Sequence, residues 1–216
     1  LLRDDNARLF EDEASIIRGD IFDRNGNLLT ESIVNNNGFV SRTYHYPSTF
    51  GITGYYSLQY GVGGAEAAYD TILRGDDLED GLRTYFQQDI LHIPQQGSDI
   101  QLTLDIDVQN YLYDALAGQT GAALLLSIPD GQILAMVTQP SYNPNILDSD
   151  WDNLIEDPQD PFFNRALQAQ YQPGALFQLP LITLARPNNF LLDTPFANAT
   201  QSVVLDNLML ECQTTP

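Results

Sequence analysis

The sequence predicts an α+β fold in two modules, and three observations carry that prediction. Short alternating segments bounded by turn residues dominate the first half, and apolar residues recur at helical spacing in 105–116 and 175–185. With 216 residues and 43% hydrophobic side chains, the chain can bury two cores of roughly 100 residues each. We place the modules at 1–97 and 98–216, the first rich in β-structure.

The elements follow in order. After a charged lead-in, Arg18-Gly19-Asp20-Ile21-Phe22-Asp23-Arg24-Asn25-Gly26-Asn27-Leu28-Leu29 sets Asn-Gly between two apolar runs, a hairpin signal. Gly38–Tyr46 alternates and predicts a strand. Ala65–Leu73 has helical spacing with Gly75 as its stop, and Arg83–Ile90 reads as a further strand. Asp99–Leu104 alternates and gives way to a helix through Val108, Leu112, Ala115 and Leu116, with Asp105 as its cap and Asp107 as a first-turn charge. Gly121–Ile128 and Gln132–Thr138 flank Pro129-Asp130-Gly131 as the clearest hairpin, and their near-continuous apolarity predicts cover on both faces. Trp151–Ile155 reads as one helical turn. A loop then leads to an apolar helix that Pro187 ends.

Composition narrows the function classes. Nine basic against 29 acidic residues give a formal charge of -20, which excludes nucleic acid and anionic membrane surfaces as natural partners. All nine basic residues are arginine, so no lysine-dependent mechanism is open to the chain. The acidity reads as a hydrated surface: Ile21 stands where an EF-hand loop with Gly26 as its sixth residue needs its first Asp. Cys212 is alone, so no disulfide framework, metal cluster or cofactor is implied. The start, Leu1-Leu2-Arg3-Asp4-Asp5, has no signal-peptide pattern. Asn198-Ala199-Thr200 matches a glycosylation sequon, a pattern short enough to arise by chance. His45 and His92 read as surface or interface residues, and Tyr55, Tyr56 and Tyr60 as packing rather than a sugar platform.

One stretch is laid out for serine acyl transfer. A Ser before or at a helix start, with Lys one turn on, places nucleophile and base on one face. Pro173-Gly174-Ala175-Leu176-Phe177-Gln178 keeps that frame and replaces both working residues. Pro180 fits only if the helix begins near Leu176, so that its missing N–H falls in the first turn.

These residues, with others along the chain, resemble the class B penicillin-binding proteins, the D,D-transpeptidases that cross-link peptidoglycan. Arg18 and Gly19 with Asp23, Arg24 and Gly26 resemble the opening of their N-terminal module. Gly64 and Glu66 match the glycine-glutamate segment that follows. Asp105 and Gln109 match the start of the transpeptidase domain, and Asn143, Asn164, Arg165, Tyr171, Pro173, Gly174 and Phe177 its approach to the active helix. The resemblance implies a pedestal-like dimerisation module followed by part of a serine β-lactamase-like α/β domain. The family's Ser-x-x-Lys appears as Ala175-Leu176-Phe177-Gln178, and its Lys-Thr-Gly cannot occur without a lysine.

Three functions stay open: a non-catalytic scaffold in peptidoglycan synthesis or cell division, part of an active transpeptidase, or a peptidoglycan-binding module. The resemblance further implies a cell-envelope location, an N-terminal transmembrane anchor preceding Leu1, a transpeptidase domain cut short at Pro216, and partners among cell-wall synthesis or division proteins. Peptidoglycan and a second copy of the chain are further candidates, the latter because a partial sheet leaves an edge to be paired.

Overall fold

The computed structural model describes residues 13–36, 38–76, 94–185, 187, 203–205 and 208–210. The predicted strand Arg83–Ile90 and His92 lie outside them. Residues 1–169 form one compact unit and 170–216 another.

The first unit opens on a four-stranded sheet. β1 (Ile21–Phe22) pairs antiparallel with β2 (Leu28–Val34), which pairs antiparallel with β3 (Val40–Tyr44). The Asn-Gly hairpin is therefore real, and Asp23 builds its turn. The Asp23 carboxylate is fully buried and accepts from the backbone N–H groups of Asn25 and Asn27, from the Asn27 amide and from the Ile106 N–H. Burial opposes its ionisation, but those four donors outweigh burial and hold its carboxyl below the ordinary value. A depressed folded value means that the stabilisation is complete above the ordinary carboxylate range and is lost as pH falls below it. Asp23→Asn is expected to cost about 2 kcal/mol at pH 7, and acid titration of the variant's unfolding free energy should lack that final low-pH decline. A variant whose acid limb matches the parent would contradict the assignment.

Two short elements follow. α1 (Phe50–Thr53) leads into the hairpin of β4 (Tyr55–Ser57) and β5 (Gly61–Gly63). The predicted helix over 65–73 is interrupted: α2 (Ala65–Ala68) and α3 (Asp70–Arg74) meet at Tyr69, whose φ of -115° and ψ of 22° break the run, and Gly75 closes α3 in the left-handed region.

The predicted strand Asp99–Leu104 shrinks to β6 (Ile100–Gln101), which joins the first sheet parallel to β1 rather than starting a new one. Ile21, Leu29, Leu73 and Ile106 form the core there, with Ile100 and Leu102 packed against it. Asp105 then caps α4 (Ile106–Ala115) as expected, accepting from the N–H groups of Asp107 and Val108. α4 packs on β8 (Ile133–Gln139), the inner strand of the predicted hairpin with β7 (Gly121–Leu126).

Cover on both faces is not what this hairpin has. β8 is buried through Ala135, Met136 and Val137, but Leu124, Leu125 and Leu126 of β7 are 43–49% exposed. Successive residues point to opposite faces, so among the described residues both sides of β7 are open over Leu124, Leu125 and Leu126. The predicted turn at Trp151 is longer than expected, a ten-residue helix α5 (Leu147–Glu156) whose first turn carries Asp148 and Asp150, as its dipole favours.

The second unit holds a 3-10 turn over Gly174–Phe177, then α6 (Gln178–Ala185), and the antiparallel pair β9 (Val203–Leu205) and β10 (Leu208–Leu210). Among the described residues, no helix is long and apolar enough to cross a membrane.

Candidate functional site

The nucleophile region is a turn, not the first turn of an α-helix. Tyr171 and Pro173 lead into the 3-10 segment, Gly174 takes the left-handed φ of 53°, and the Leu176 N–H donates to the Pro173 carbonyl at 3.0 Å. Phe177 and Gln178 are exposed. Pro180 is the third residue of α6, where its missing N–H leaves no helical bond unmade. By the sequence resemblance alone, an alanine and an amide stand where the Ser and Lys of Ser-x-x-Lys would be. Neither can attack a carbonyl or take a proton at neutral pH.

In the first unit, the other residues singled out in the sequence divide into three constructions. Arg18 and Glu66 form a buried ion pair at 2.9 Å, 2% and 0% exposed. Arg42 closes on the other carboxylate oxygen at 2.7 Å, itself 3% exposed, so one carboxylate is shared between two guanidinium groups. Asp70 takes a further Arg18 donor at 2.7 Å, Ser32 accepts from Arg42, and the Tyr44 hydroxyl donates to Glu66. Burial and the neighbouring Glu66 charge push the Tyr44 hydroxyl far above its ordinary value. Gly19 and Gly64 make the close approach possible. A β-carbon at Gly19 would collide with the Ser98 carbonyl, and Gly64, at φ 65°, brings its Cβ position to 2.6 Å from the Gly54 Cα.

The second construction ties α4 to both sides. Gln109 is fully buried, donating to the Ser48 and Met136 carbonyls at 2.6 and 2.8 Å and accepting from the Met136 N–H at 2.8 Å. Asp105, besides capping α4, accepts from the Asn25 amide, while the Arg24 N–H donates to the Leu104 carbonyl across the same seam. Gly26 and Asn27 complete the Asp23 turn beneath it.

The third holds the proline-rich loop. Asn143 caps the turn Pro144–Ile146. Asn164 donates to the Gly51 carbonyl and accepts from the N–H groups of Ala166 and Leu167. The Arg165 N–H donates to the Thr138 hydroxyl, and its guanidinium to the carbonyls of Asp160, Phe163 and Gln159. Arg165 thus braces a loop rather than binding an anion. Sequence reasoning missed Arg42 and Asp70, which complete the Glu66 network, and Asn145, which both accepts from and donates to the Tyr44 backbone.

The remaining candidates are structural as well. His45 pairs with Glu31 at 3.0 Å. Tyr60 stacks on Trp151 with centroids 4.0 Å apart, Tyr55 packs edge-on against Tyr142, Trp151 and Phe162, and the Tyr56 hydroxyl donates to Glu13. No group of three or more His, Cys, Asp or Glu among the described residues could hold a metal ion.

Two family models match this chain. Residues 18–100 match the penicillin binding protein A dimerisation domain, and residues 121–201 the penicillin binding protein transpeptidase domain. The peptidoglycan D,D-transpeptidase PbpA of Mycolicibacterium smegmatis is 33% identical over 210 residues, covering 88% of this chain and 42% of that protein. The chain belongs to the penicillin-binding protein family. The peptidoglycan D,D-transpeptidase MrdA of Escherichia coli is 33% identical over 132 residues, 56% of this chain and 21% of the relative. The imipenem acyl-enzyme of penicillin-binding protein A from M. tuberculosis superposes with a TM-score of 0.78 at 29% identity, over 92% of this chain and 49% of that one.

The α+β fold is thus that of a penicillin-binding protein's N-terminal module and part of its transpeptidase domain. The chain spans less than half the length of these curated relatives. The first match begins at Arg18, the residue that anchors the Glu66 network, and the second at Gly121, where β7 starts.

Proposed function

We propose that this chain is a non-catalytic, transpeptidase-like module, a scaffold or interaction protein in peptidoglycan synthesis that works on the outer side of the cell membrane. One observation carries the reading: Ala175 and Gln178 occupy the nucleophile and base positions of Ser-x-x-Lys, and the chain has no lysine to stand in for the second. The residues that hold the fold are kept beside that loss. Arg18, Glu66, Asp105, Gln109 and Asn164 all make the buried or capping bonds described above, a pattern that suits a protein used for its surface. We place its contact surface on residues 1–97, the module that holds all but the last three residues of the dimerisation-domain match, and the transpeptidase-like module from 98 onward. Division or elongation proteins, or a second copy of the chain, are the partners this surface would take.

The second reading is a transpeptidase whose acylating residues are not in this chain. It is favoured by the D,D-transpeptidase names of the relatives and by the acyl-enzyme state of the M. tuberculosis protein. A fluorescent penicillin separates the two. Incubated with the protein and resolved on a denaturing gel, it is expected to leave no covalent label. A label that survives denaturation and maps to a serine of this chain would overturn the proposal and favour the enzyme.

A further inference from the structure

Within the first unit, a cavity of about 690 Å³ opens among α1, β5, the β6 to α4 connection and β8. That is within the range of small-molecule sites, roughly 300–1,000 Å³. The described residues that line it include no Asp, Glu, Arg or His; all are apolar, aromatic, glycine, or uncharged amides and hydroxyls. In a chain of formal charge -20, a wall of this extent without a carboxylate is a chemical property of the cavity.

A further observation gives the cavity its shape. Tyr55, Tyr142, Trp151 and Phe162 form one side, with ring centroids 4.7–6.1 Å apart, so the rings brace one another before any ligand arrives.

We propose that this cavity binds an uncharged, predominantly apolar small molecule. An anion entering would meet the field of the acidic chain and no basic wall. A cation would shed its hydration with no carboxylate to replace it. A neutral apolar molecule pays neither cost and exchanges water for aromatic surface. The proposal does not depend on whether the chain acylates.

The chain's one tryptophan, Trp151, lines the cavity, so its emission reports occupancy. The probes are N-phenyl-1-naphthylamine and its sulfonated counterpart 8-anilinonaphthalene-1-sulfonate, which share a skeleton and differ in charge. Energy transfer from Trp151 is expected to saturate with the neutral dye at one per chain, and the sulfonate to bind at least tenfold more weakly. Leu167→Asp, at an exposed lining position, should weaken the neutral dye about tenfold without moving the melting temperature, and Ala68→Phe should do so by filling space. Leu125→Lys on the open end of β7 should leave binding unchanged. Equal affinity for the two dyes, binding indifferent to Leu167→Asp, or binding lost in Leu125→Lys would overturn the proposal.

Discussion

Glu66→Ala is expected to lower the unfolding free energy by about 3–5 kcal/mol, the range for removing one partner of a buried ion pair. The reason is what remains: Arg18 and Arg42, 2% and 3% exposed, lose the carboxylate they share. Arg18 keeps Asp70, which is 36% exposed. The one carboxylate left to Arg42 is Asp20, at 4.0 Å, beside the neutral Ser32 hydroxyl and Arg18 carbonyl, and one of its terminal nitrogens already has no acceptor. Guanidinium groups cannot escape by losing a proton, so the cost falls on folding. Urea unfolding measures it directly. The triple variant Arg18→Met, Glu66→Leu, Arg42→Met should cost less than Glu66→Ala alone, because it strands no charge. A single variant within about 1 kcal/mol of the parent would show that water reaches the network and screens it.

What could be read from the sequence follows how local each interaction is. The cap at Asp105 and the turn at Asp23 use partners within four residues, and both signals lie in the string of residue types itself. The left-handed stop at Gly75 is of the same kind. Glu66, by contrast, meets Arg18 across 48 positions and Arg42 across 24, so its residue type carried a family resemblance but not its partners. Alternation shows a strand's existence and not its neighbour, so β6, which the sequence places at the start of the second module, pairs with β1 across 79 positions. The apolar run of β7 was read as doubly covered, yet hydrophobicity records what a strand can bury and not what stands beside it. At the acyl-transfer frame the sequence was most informative, since an absent oxygen and an absent amine are facts of residue type alone. The cavity was invisible, as its lining is drawn from segments between 51 and 168.

Gln109→Glu tests the seam where α4 meets both the Ser48 turn and β8. The substitution keeps the shape and replaces an amide that donates to two carbonyl oxygens, 2.6 and 2.8 Å away, with a carboxyl group. Ionised, that group would face both carbonyls in a site with no exposure. Burial and the lost donors therefore raise its folded pKa above the ordinary glutamate value of about 4.3. With the folded value raised, the folded chain holds its proton longer than the unfolded one, so stability falls as pH rises past the unfolded pKa. At about 1.4 kcal/mol per pH unit, the loss reaches about 3–4 kcal/mol at pH 7 and shrinks toward that of one missing hydrogen bond near pH 4. Gln109→Met strands the same backbone groups without a titrating one, so its cost should be flat across this range. Urea unfolding of both variants from pH 4 to pH 7 checks the sign. Parallel profiles would mean that the carboxyl group turns out to solvent and that Gln109 does not lock the seam.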